Sequence, residues 1–136
     1  EIINQDLANV RYVRGVSNHM GSKATGDLRT MGIIFKELKQ RHLYFLDSLV
    51  YSESICFDLA HKMHLRFAKR DVFLDNEEKA EYIKGQISKL KTRASIYGQA
   101  IGIGHDRRTT LEVLKEVMPS IEKEGYKFVF VSELAR

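Results

Sequence analysis

Four short segments carry imidazole, carboxylate and guanidinium groups just past apolar runs. They are Gly15-Val16-Ser17-Asn18-His19-Met20-Gly21-Ser22, Phe45-Leu46-Asp47-Ser48, Arg70-Asp71-Val72-Phe73-Leu74-Asp75-Asn76 and Gly102-Ile103-Gly104-His105-Asp106. Imidazole changes charge near neutral pH, so it can move protons or bind a metal. His19 sits among Asn18, Gly21 and Ser22, a tight polar setting that suits a ligand or a catalytic group. His105 follows a Gly-x-Gly, which lets the backbone pass close to a bound group. Asp47 is a candidate site carboxylate, with capping of the next segment as its plainer role. Arg70 and Asp71 either form a structural ion pair or orient a catalytic neighbour. Asp75 stands three residues before Glu78, the spacing of a capping box, and reads as a helix cap.

Other reactive types have simpler readings. Cys56, the single cysteine, falls in an apolar helical stretch and reads as a small buried hydrophobe. His61 and His64 have a spacing that can bind metal on a helix, but they lie near its C-terminus, where the dipole favours histidine. His42 follows a helix end in the same way. Gly102-x-Gly104 lacks the third glycine of a dinucleotide fingerprint.

The elements that must position these groups alternate. Helices are predicted over about Asp27–Arg41 and about Glu53–Met63, the latter capped by Ser52. A third carries Ala80, Ile83, Ile87, Leu90, Ala94 and Tyr97 and stops at Gly98. A fourth carries Leu111, Leu114, Met118 and Ile121, starts at a Thr109–Glu112 capping box, bends or restarts at Pro119 and ends at Gly125. Residues 1–10 read as the end of an earlier helix. Short β-rich runs lie between: Arg11–Val16, Leu43–Leu46, Leu65–Ala68, Gln99–Ile103 and Tyr126–Val131. Strand and helix in alternation imply parallel strands with right-handed crossovers. In such α/β folds ligands bind beyond the carboxyl ends of the strands, where all four polar segments fall.

The totals bound the rest. The 136 residues suit one domain, and 43% are hydrophobic, enough for a core without staples. The net charge of +4 comes from basic and acidic residues interleaved on helices, which gives little support to a nucleic-acid partner. No apolar run reaches the roughly 18 residues of a membrane span.

Taken together, the four strand-end segments resemble the divergent polysaccharide deacetylase family, distant relatives of the chitin and peptidoglycan deacetylases. They come in the family's order and spacing, and the likeness covers essentially the whole chain. Two positions depart from the pattern: Ser17 stands where a second asparagine is usual, and Asp106 where proline is usual. The resemblance implies a partial, deformed (β/α) barrel of parallel strands alternating with helices. It implies a single domain matching the C-terminal half to two-thirds of the family's domain, without the first strands and their Asp pair.

The resemblance also implies the chemistry. A divalent metal, zinc by preference, would polarise the acetyl carbonyl and activate water, with His19 as one ligand and the others upstream. His105 would protonate the leaving amine or alcohol, Asp71 or Asp47 would hold its ring, and Arg70 would anchor a carboxylate or substrate oxygens. Asn18 and Ser22 would contact substrate. The substrate would be an acetylated envelope glycan and the location periplasmic or secreted. A second reading keeps the fold without catalysis, as an envelope protein that binds glycan or a protein partner. The oligomeric state is open.

Overall fold

Helix α3 (Leu28–Gln40) shows how the sequence builds the first layer. Met31, Phe35 and Leu38 recur at helical spacing and are buried, while Asp27 caps the N-terminus by accepting the Thr30 N–H at 2.8 Å. The computed structural model describes residues 2–136, the Ser22 side chain excepted. Two compact units result: one runs to Lys69 and includes Val131–Arg136, the other is Arg70–Phe130.

The first unit holds α1 (Ile2–Asn9), β1 (Gly15–Ser17), α2 (Ser22–Thr25), α3, β2 (Tyr44–Asp47), α4 (Cys56–Met63), β3 (Phe67–Lys69) and α7 (Val131–Leu134). Its strands form a parallel sheet in the order β1-β2-β3. Phe35 of α3 packs on Phe45 of β2 with ring centroids 5.0 Å apart, and Phe45 stacks on Phe67 of β3. Full burial of each such side chain contributes about 1.5–3 kcal/mol, so this seam holds α3 to the sheet. At the paired positions Gly15 and Tyr44 the tyrosine ring lies over the glycine, and a Cβ there would collide with it.

The second unit holds β4 (Val72–Phe73), α5 (Ala80–Tyr97), β5 (Gly102–Ile103) and α6 (Arg108–Lys123). β4 and β5 pair in parallel, Val72 with Gly102 and Phe73 with Ile103. Val72, Leu74, Ile83, Ile87, Val113 and Ile121 make its core.

The α/β class with parallel strands alternating with helices is as expected; the strands form two small open sheets, and among the described residues there is no closed barrel. Several local expectations need correction. Tyr126–Phe130 forms no strand, and Val131 begins a short helix instead. Phe128 is 42% and Phe130 80% exposed, so this run does not bury its apolar side in a core as a strand of this composition would. β4 is an additional strand whose two residues are too few for a periodicity signal. Helix α4 starts at Cys56 rather than near Glu53, without a Ser52 cap. The Thr109–Glu112 box does not form: α6 has Arg107 at its N-cap, and Glu112 pairs with Arg108. α6 continues through Pro119 without a restart. Gly98 ends α5 in the left-handed conformation that glycine adopts without a Cβ penalty. No helix among the described residues is long and apolar enough to cross a membrane.

Candidate active site

The second unit holds the most connected polar group. Asp75 lies two residues past β4 and His105 two residues past β5. The Asp75 side chain is fully buried, whereas that of His105 is 43% exposed. Asp75 Oδ1 meets His105 Nδ1 at 2.9 Å. Oδ2 accepts the His105 backbone N–H and the Thr110 hydroxyl, both at 2.7 Å. Arg107 reaches back to donate to the Asp75 carbonyl at 3.0 Å. Burial alone would raise the Asp75 pKa. The His105 ring, the His105 N–H and the Thr110 hydroxyl together outweigh it and hold the carboxyl below its ordinary value. A buried carboxylate facing Nδ1 selects the tautomer with hydrogen on that nitrogen and fixes the ring plane.

This corrects two expectations. Asp75 is not a helix cap: α5 begins beyond it at Ala80, with Lys79 as its N-cap. The carboxylate that holds His105 is Asp75 rather than Asp71 or Asp47. Asp71 stands at the entrance to β4, where its Oδ2 accepts the Ile101 N–H at 2.8 Å and its Oδ1 lies 3.8 Å from Arg93. Its own N–H bonds the Ile101 carbonyl. Those bonds tie β4 to the chain entering β5. Arg70 lays its guanidinium over the Phe73 ring, 3.7 Å from the centroid.

Gly104 makes the close approach possible. A Cβ there would lie 3.1 Å from Thr110 Cγ2 and 3.5 Å from Asp75 Oδ2.

The first unit carries the other expected residues. Asp47 is 1% exposed and turns inward: Oδ1 accepts the Leu49 N–H at 2.8 Å and Oδ2 the Ser54 hydroxyl at 2.6 Å. It organises the turn between β2 and α4, where Leu49 adopts a positive φ of 49°. Asn18 Oδ1 accepts the Ser48 N–H at 2.7 Å. That donor fixes the amide orientation, which leaves the buried Asn18 Nδ2 with no hydrogen-bond partner among the described residues. His19 is exposed on the loop between β1 and α2, followed by Met20 at φ 49°. The Ser22 side chain, expected to contact substrate, lies outside the described residues. Cys56 is fully buried, and burial pushes its thiol up to about 11, as a core residue rather than a nucleophile requires.

Among the described residues no three His, Cys, Asp or Glu side chains converge on a metal position. A catalytic zinc needs about three protein ligands, and His19 would supply one. The described residues therefore do not by themselves fit the ion.

A sequence profile described as divergent polysaccharide deacetylase matches residues 1–135. An uncharacterized protein of Haemophilus influenzae is 33% identical over 115 residues, which cover 85% of this chain and 41% of that protein. The uncharacterized protein YibQ of Escherichia coli is 34% identical over 117 residues, covering 86% of this chain and 37% of YibQ. The chain thus spans about two fifths of the length of these relatives. A crystal structure of an uncharacterized protein from Agrobacterium tumefaciens superposes with a TM-score of 0.92, over 98% of this chain and 56% of that one. At 22% identity that likeness is one of fold.

Proposed function

Because this chain belongs to the divergent polysaccharide deacetylase family, we propose that it takes part in hydrolytic removal of acetyl groups from an envelope polysaccharide, with His105 as the group that moves the proton. The observation that supports this most is the buried Asp75 carboxylate holding the partly exposed His105 ring at 2.9 Å. A ring held for packing alone needs no buried charge behind it, and burying a charge is costly unless it is fully bonded.

In the reaction a water oxygen bonds to the acetyl carbonyl carbon. The bond from that carbon to the sugar nitrogen or oxygen breaks, and acetate departs. The sugar atom must gain a proton as it leaves. With Nδ1–H turned to Asp75, Nε2 of His105 takes the proton that the attacking water gives up and passes it to the leaving atom, a task for which imidazole is suited near neutral pH. Asp75 acts by holding the ring. Zinc, which the family resemblance implies, would take His19 as one ligand and needs others from beyond the residues described. The proposal places the protein where such glycans are, in the periplasm or outside the cell.

The test is acetate release by the full-length protein from N-acetylated and O-acetylated glycans. Release from one of these classes supports the proposal. A folded protein that binds such glycans and releases no acetate would instead support the non-catalytic reading.

A further inference from the structure

Thr110 is the third residue of α6 and is 1% exposed. Threonine at a helix start usually turns its hydroxyl to a nearby backbone group. Here Oγ1 points out of the helix and donates to Asp75 Oδ2 at 2.7 Å. The same oxygen takes the His105 N–H. Oδ2 is thereby clamped by two donors, and Oδ1 is left facing the His105 ring. A carboxylate rotates easily about its last bond, so the clamp sets which oxygen meets Nδ1 and at what angle. Gly104 keeps Thr110 close, since any Cβ there would crowd its methyl group.

We infer that Thr110 is a positioning residue for His105: through Asp75, its hydroxyl fixes the ring tautomer and orientation that proton transfer uses. The inference deepens the reading of His105 as the proton-transfer group and rests on it for its consequence. Its test is made on the imidazole itself, so the two can fail separately.

The measurement is ¹⁵N NMR of the His105 ring in the full-length protein, at about pH 8.5 where an ordinary imidazole is neutral. Wild type should show the Nδ1–H tautomer. Thr110→Val keeps the shape and loses the hydroxyl, and should raise the Nε2–H form about tenfold, as expected for losing one charge-assisted hydrogen bond. Thr110→Ser should restore the wild-type spectrum, which a purely packing role would not predict. A Thr110→Val protein with the wild-type tautomer ratio would overturn the inference. If that variant does not fold, Thr110→Ala serves in its place. If neither folds, wild type still decides: the Thr110 hydroxyl proton should exchange slowly with water, and fast exchange would overturn the inference. Absence of acetyl release with the tautomer shift intact would remove the function proposed for His105 and leave the role of Thr110 standing.

Discussion

Asp75 and His105 stand at equal distances beyond two strands that pair in parallel, so the register that aligns Phe73 with Ile103 also sets the carboxylate beside the imidazole. The same offset of thirty residues joins Asp71 to Ile101, below the pair. The sheet itself is therefore the device that assembles this site, and α6 closes it through Thr110.

Replacing Asp75 by Asn should leave the ring near its place but offer Nδ1 an amide of uncertain direction. Acetyl release should fall, with the loss in kcat rather than KM, because the pair serves the proton transfer and not substrate binding. Steady-state kinetics check this, and a pure KM effect would assign Asp75 to the binding surface.

The acid limb of stability should report Asp75. Its pKa is lowered in the folded chain, so its contribution is full above the ordinary value of 3.8 and is lost as pH falls through the lowered folded value. Urea unfolding between neutral pH and about pH 2 should show this loss in wild type and a flatter profile in Asp75→Ala. That variant should also be less stable at neutral pH by about 1–3 kcal/mol, since it leaves buried donors unpaired.

Gly104→Ala should disturb the site more than the fold. The new methyl would press on Thr110 Cγ2 at 3.1 Å, so Thr110 must shift away from Asp75. A stability loss of about 1–3 kcal/mol is expected for such overpacking, together with a change in the His105 ring signals. An unchanged ring spectrum would show that the loop absorbs the methyl elsewhere.

Cys56 should resist thiol reagents at about pH 8 in the folded protein, because it is fully buried and its thiol is pushed up to about 11. Reaction should appear only under denaturing conditions. Rapid labelling of the native chain would mean that α4 opens readily.

Much of this was legible in the residues. The apolar spacing of α3 and α5 and the left-handed stop at Gly98 follow from periodicity and glycine chemistry. His105 stood out because it follows Gly102-x-Gly104. Its partner did not, because Asp75 also had the spacing of a capping box with Glu78, and local spacing cannot show that the helix begins later. The signal that distinguishes the two is the register of a strand pair: once Val72 aligns with Gly102, Asp75 must fall opposite His105. Thr110 was invisible for a related reason. Its contact spans 35 residues, and nothing nearby in sequence distinguishes it from Thr109. Ser54 was likewise hidden, since its bond to Asp47 depends on the turn that Asp47 itself builds.

Acetate release by full-length wild-type protein beside His105→Ala, on the same acetylated glycan, tests the role of His105 in proton transfer most directly. His105→Ala should lose at least about a hundredfold in turnover, the usual scale for removing a general acid, with the fold preserved. Turnover unchanged in His105→Ala would contradict that role and leave His105 as a structural partner of Asp75.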